Sequence, residues 1–217
     1  MKSNGNPLAG IQKRHSRFIV LEGGDRAGKT TQIEKLVERL KQQGYTKVWV
    51  TKEPTDEGKY GRMIRRILAG KAKMPEALEF QRMYIADRAE HQAAIAQHLH
   101  DGYIVICDRY YYSTLAYGVA VGLDFGVLWD ENQHFIRPGL ALYIESEPKT
   151  ASQHDAHDRN AELQKQVRKE YQRLGTRSPG FPEIRRVNGN QPIDKVAAAV
   201  WREVSEFLNI KVALQAK

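Results

Sequence analysis

The sequence predicts a three-layer α/β sandwich around a five-stranded parallel sheet, and three observations predict it. From residue 17 onward, short apolar and β-branched runs alternate with longer amphipathic segments, the pattern of βαβ units. A glycine-rich stretch separates the first such run from the first helical segment, where a parallel sheet can present backbone N–H groups to phosphate. The 217 residues, 41% hydrophobic and 9% aromatic, suffice for one core covering both faces of such a sheet.

In chain order, strands are expected at 18–21, 47–51, 103–107, 140–144 and 185–187. Helical periodicity fills the intervals at 29–43, 61–69, 77–100, 113–121, 161–174 and 193–208. Residues 175–182 carry Gly175, Pro179, Gly180 and Pro182, so they read as a loop before the last strand rather than a domain linker. The sequence contains no internal repeat and no low-complexity block.

Charge divides the chain unevenly. Lys plus Arg number 34 against 26 Asp plus Glu, a formal +8, yet Lys2, Lys13, Arg14 and Arg17 supply four of those charges in an acid-free start. Residues 1–16 are therefore expected to be a flexible extension, with 17–217 forming the domain. A run of 18 apolar residues and a secretory n-region/h-region pair are both missing, so the expected location is cytoplasmic, with no membrane partner. The single cysteine, Cys107, lies in an apolar run and suits a small core residue.

The sharpest feature is Gly23-Gly24-Asp25-Arg26-Ala27-Gly28-Lys29-Thr30, which satisfies G-x-x-x-x-G-K-[ST] between a strand and a helix. Glycines allow successive N–H groups to turn inward, and the helix N-terminus adds partial positive charge, so the loop cradles phosphate oxygens. Lys29 would reach the terminal phosphates and the Thr30 hydroxyl would ligate Mg²⁺. A second Mg²⁺ ligand belongs at the end of a neighbouring strand, and Asp108 closes Ile104-Val105-Ile106-Cys107; the alternative is that Asp108 merely caps the next helix. ATP and Mg²⁺ are the expected cofactors.

Four motifs in order carry a resemblance: Glu22 through Gln32, Thr51-Lys52-Glu53-Pro54, Ala86-Asp87-Arg88-Ala89-Glu90-His91, and Asp108-Arg109-Tyr110-Tyr111-Tyr112-Ser113-Thr114-Leu115-Ala116-Tyr117. They resemble those of the thymidylate kinases, P-loop nucleoside monophosphate kinases. The resemblance implies transfer of the ATP γ-phosphoryl group to dTMP, giving dTDP, by a homodimer. It further implies that Asp25 contacts the acceptor sugar, Arg26 meets the transferring phosphoryl group, and Arg109 holds the acceptor phosphate. Thymine would stack on Tyr84 with Arg88 on its carbonyl edge, and Lys52, Glu53 and Tyr117 would complete the acceptor site.

Three departures qualify the match. Lys52 stands where the family usually has Arg, keeping the charge but losing the planar fork. Gly118 replaces a glutamine that many bacterial members place near the base. The lid near 149–160 is short, and its His154-Asp155-Ala156-His157-Asp158 run reads as a solvated loop rather than a metal site. The rivals are a kinase for another nucleoside monophosphate or a deoxynucleoside, and a nucleic-acid-binding protein regulated by ATP, with Tyr110, Tyr111 and Tyr112 as its stacking platform.

Overall fold

The computed structural model describes residues 14–147, 161–177 and 180–210. Five strands, β1 (His15–Glu22), β2 (Val48–Lys52), β3 (Ile104–Asp108), β4 (Pro138–Glu145) and β5 (Ile184–Asn188), form one all-parallel sheet in the order β2-β3-β1-β4-β5. Seven helices cover it: α1 (Lys29–Gln42), α2 (Lys59–Leu68), α3 (Ala77–His100), α4 (Tyr111–Ala120), α5 (Phe125–Asp130), α6 (Ala161–Leu174) and α7 (Ile193–Phe207).

All five expected strands and six expected helices are present, with ends shifted by a few residues. The expected lid near 149–160 and most of the expected extension lie outside the described residues. His15 and Ser16, assigned by sequence to that extension, belong to β1, whose first N–H donates to Arg137 O at 2.9 Å. The periodicity reading missed α5, a six-residue helix too short to show a repeat. Its signal was local: Asp124 caps it by accepting from Val127 N at 2.9 Å.

Two hydrophobic layers flank the sheet. Ile19, Leu21, Ile104, Ile106, Leu142 and Ile144 face α1 and α7, while Phe18, Val20, Val105, Cys107, Ala141 and Tyr143 face the helices of the other side. Strands buried on both faces need continuous apolar runs, which Phe18-Ile19-Val20-Leu21 and Ile104-Val105-Ile106-Cys107 supply. The three consecutive tyrosines, Tyr110, Tyr111 and Tyr112, are fully buried. Their hydroxyls bond Ile136 O at 3.1 Å, each other at 3.1 Å and Glu183 at 2.8 Å, so they are core and not a stacking platform. Glu183 also receives both arms of Arg137 at 2.9 and 3.0 Å, a buried bidentate pair bracing β4 against the turn before β5.

Parallel register brings the C-terminal ends of β1, β2 and β3 to one rim, with Asp108 opposite both Leu21 and Lys52. That rim is where open α/β sheets bind ligands. A cavity of about 400 Å³ lined by Arg14, Ser16, Glu183, Arg185 and Glu206 opens at the other end of the strands, away from these residues. No helix among the described residues is long and apolar enough to cross a membrane.

Candidate active site

The glycine-rich loop occupies residues 23–28 between β1 and α1. A Cβ on Gly23 would lie 2.8 Å from Ile144 O, so the loop packs against β4 only because that residue is glycine. Arg26 and Gly28 both have left-handed backbones, with φ of 60° and 85°. Gly28 occupies the cap position of α1 with no side chain bonding the first turn, leaving those N–H groups directed at whatever fills the loop.

Lys29 is buried beneath the loop, its Nζ 3.4 and 3.2 Å from the carbonyls of Gly23 and Gly24 and 3.8 Å from Asp108 Oδ1. Burial, then the nearby Arg109 charge, brings its ammonium down to about 8. A triphosphate would replace two weak carbonyl contacts with full negative charge. Thr30 is exposed one residue further on.

Asp108 does not cap α4, whose cap position is Tyr110. Its Oδ1 is buried without a hydrogen-bond donor. A buried acceptor oxygen left unbonded, 3.8 Å from the phosphate-loop lysine, suits Mg²⁺, a hard cation that keeps waters and shares substrate phosphates, so one or two protein oxygens suffice. Thr30 and Asp108 are the residues that would hold it. No group of three or more His, Cys, Asp or Glu side chains able to hold a metal occurs among the described residues.

Arg109, with φ 68°, turns back over the loop. Its Nη2 donates to Asp25 Oδ1 at 2.5 Å, its Nη1 to Ser113 Oγ at 3.2 Å, and its guanidinium lies 5.6 Å from the Tyr117 ring centroid. The arrangement joins the phosphate loop to the start of α4. Glu22, at the end of β1, does the same from below, accepting from Tyr110 N, Ser113 Oγ and Tyr171 OH at 2.8, 2.7 and 2.8 Å. Burial pushes its carboxyl up, opposed by those donors and by Arg109.

Glu22, Ser113 and Tyr171 were not among the expected site residues. An acid ending an apolar strand was a readable signal for Glu22. Nothing local marks Tyr171, which reaches the site from α6 and stacks on Tyr143 with centroids 4.6 Å apart. Helix α6 therefore braces the site: Arg168 and Gln172 both hold Glu145 as Tyr171 docks.

On the acceptor side, Gln81, Tyr84 and Arg88 follow one face of α3 at helical spacing. Tyr84 meets Phe80 edge-on at 5.3 Å, and burial pushes its phenol up to about 12. Arg88 is 1% exposed. Its Nε donates to Glu53 at 2.8 Å, Nη1 to Asn132 Oδ1 at 2.6 Å, and both Nη atoms reach Thr114 Oγ1 at 3.3 to 3.4 Å. Glu53 also meets His91 Nδ1 at 3.2 Å, so in this state it anchors α3 rather than facing the cleft. Lys52, half-exposed, pairs with Asp56 at 2.6 Å.

The 53–58 loop is clamped from two helices. Asp87 accepts from Thr55 N and Oγ1 at 2.8 and 2.6 Å, and Arg65 donates to Pro54 O at 2.5 Å. A Cβ on Gly118 would sit 2.5 Å from a Leu128 methyl and 3.5 Å from Gln81 Cγ. The side chain missing at Gly118 thus faces α5 and Gln81, and Leu128 fills its place.

Comparison with known proteins agrees with this geometry. A family model described as thymidylate kinase matches residues 21–200. A probable thymidylate kinase of Thermococcus onnurineus is 40% identical over 194 residues, covering 82% of this chain and 92% of its own. A thymidylate kinase of Desulfotalea psychrophila is 33% identical over 198 residues, covering 89% and 96%. The solved thymidylate kinase of Candida albicans, 22% identical, superposes with a TM-score of 0.72 over 90% of this chain and 93% of its own, and shares the fold. With a matching family model across most of its length and the phosphate loop, Asp108 and Arg109 gathered at one rim, the chain belongs to the thymidylate kinase family.

Proposed function

We propose that the protein transfers the γ-phosphoryl group of ATP to dTMP, giving dTDP and ADP. The observation that carries this reading is the meeting of two half-sites at the ends of β1 and β3: the phosphate loop with Lys29, and the Arg109–Asp25 pair facing α3.

In this mechanism the loop N–H groups and Lys29 hold the triphosphate, and Arg26 stands beside the transferring group, whose spreading negative charge needs cationic stabilisation more than covalent help. Arg109 orients the acceptor phosphate while still bonded to Asp25. Because Arg109 takes Oδ1, Asp25 keeps Oδ2 to accept from the acceptor sugar hydroxyl. Thymine lies against Tyr84, within reach of Arg88 and Tyr117, while Glu53 holds Arg88 in place and Lys52 contributes charge on the phosphate side. The acceptor phosphate oxygen is already anionic near neutral pH and attacks without a general base. Thr30 and Asp108 would hold Mg²⁺, which would supply charge neutralisation to the phosphates. The working state is a cytoplasmic homodimer.

The test is direct transfer of label. Incubation with γ-labelled ATP, Mg²⁺ and dTMP should place the label in dTDP; label released only as inorganic phosphate would overturn the assignment.

A further inference from the structure

Arg88 is poorly placed to read the base alone. A guanidinium has five N–H donors, and those of Arg88 are spent on Glu53, Asn132 and Thr114 except for one on Nη2. Two turns earlier on the same face of α3 stands Gln81, which is 7% exposed and makes no hydrogen bond among the described residues. Its amide atoms are not among the buried side-chain atoms that lack a partner, so the stem is packed while the amide still opens to solvent, with its donors and acceptor available to a ligand.

Its surroundings point to the acceptor base. Gln81 and Arg88 flank Tyr84 along α3, and both touch α4: Gln81 at Gly118, next to Tyr117, and Arg88 at Thr114. Gly118 has no side chain to fill the space beside the Gln81 stem, and Leu128 closes the far side. The stem of Gln81 thus lies between the two helices that carry the acceptor residues.

Resting on the acceptor reading above, we infer that Gln81 reads the base edge of the acceptor, its carbonyl accepting from N3–H of a pyrimidine-2,4-dione and its NH₂ donating to an adjacent ring carbonyl. The donor–acceptor order of a carboxamide matches that edge. The ring rests on Tyr84, and the remaining Arg88 N–H serves the second carbonyl. Discrimination follows because a bound base that lacks N3–H would cover the Gln81 carbonyl, excluding water from it, without pairing it.

The experiment is a variant-by-substrate cycle with steady-state kinetics on dTMP and N3-methyl-dTMP. Gln81→Leu keeps volume and removes the bonds. Its KM for dTMP should rise about tenfold, with kcat and the KM for ATP unchanged, as expected for binding lost equally in ground and transition states. Its preference for dTMP over the N3-methyl analogue should fall by about the same factor. Gln81→Glu keeps an acceptor for N3–H, so it should weaken dTMP binding yet retain the preference, a difference that a purely structural role would not produce. An unchanged preference in Gln81→Leu, with wild type active on dTMP, would overturn the assignment alone. A wild type unable to phosphorylate dTMP would overturn the activity and this assignment together.

Discussion

Gly61→Ala isolates the link between α2 and the acceptor loop. Gly61 sits in the first turn of α2, where an added Cβ would lie 2.0 Å from Thr55 O and 2.8 Å from Asp87 Oδ1. Contacts below 3.0 Å are essentially never made by real Cβ atoms, so α2 and the 53–58 loop must separate by about 1 Å. Thr55 is held by Asp87 through two hydrogen bonds, and Pro54 by Arg65, so the strain passes to Glu53 and from there to Arg88. Overpacking of this kind costs roughly 1–3 kcal/mol of stability, and a shift of about 1 Å in positioning groups costs up to about 100-fold in rate. The assay pairs thermal unfolding with kcat/KM for both substrates. A melting point several degrees lower and a kcat/KM for dTMP reduced by at least tenfold, with the KM for ATP near wild type, are expected. Gly70→Ala is the control: φ is +69° but nothing lies within 4 Å, so about 1–2 kcal/mol of backbone strain should appear without any change in dTMP kinetics. Gly61→Ala kinetics matching those of Gly70→Ala would refute the reasoning.

Lys29 makes the resting site unstable as well as functional. Its ammonium titrates near 8 in the fold against an unperturbed 10.5, so the unfolded chain binds more protons between those values and nucleotide-free stability should rise with pH across that window. Lys29→Met, free of this penalty, should be more stable than wild type at pH 7 by up to about 3 kcal/mol, the gap closing towards pH 10.5; urea unfolding at both pH values checks it. Arg26→Ala should lower kcat by two or more orders of magnitude with little change in ATP binding, measured by single-turnover kinetics; a near-normal kcat would remove Arg26 from the mechanism. Glu183→Leu, which strands the buried Arg137 charge and the Tyr112 hydroxyl, should cost about 3–5 kcal/mol, read by chemical unfolding with dTMP kinetics unchanged in the remaining folded enzyme.

The sheet was legible because its central strands are buried on both faces, which forces the continuous apolar runs at Phe18–Leu21 and Ile104–Cys107 that punctuate the sequence. The phosphate loop was legible because its chemistry is local: eight consecutive residues carry the glycines, the lysine and the threonine. What escaped depends on contacts between distant segments. The sequence resemblance implies Arg88 on the edge of the base, and only the packing of α3 against the segment after β2 and against α4 shows it buried against Glu53 and Thr114. Tyr171 reaches Glu22 across 149 positions, and Gln81 differs from any other polar residue of α3 only once its lack of partners is seen. The tyrosine run was ambiguous for the same reason, since an aromatic triplet suits a ligand platform or a core until its neighbours are known.

The most direct measurement of the central claim is a coupled ADP-release assay on the full chain with ATP and Mg²⁺, run across dTMP, dUMP, dGMP, UMP and thymidine. The highest kcat/KM is expected for dTMP, weaker signals from dUMP and UMP, which carry the same dione edge without the methyl group, and little from dGMP or thymidine, because Tyr84, Arg88 and Gln81 frame a pyrimidine-dione while Arg109 requires an acceptor phosphate. Equal rates across the panel, or a clear preference for dGMP, UMP or thymidine, would contradict it.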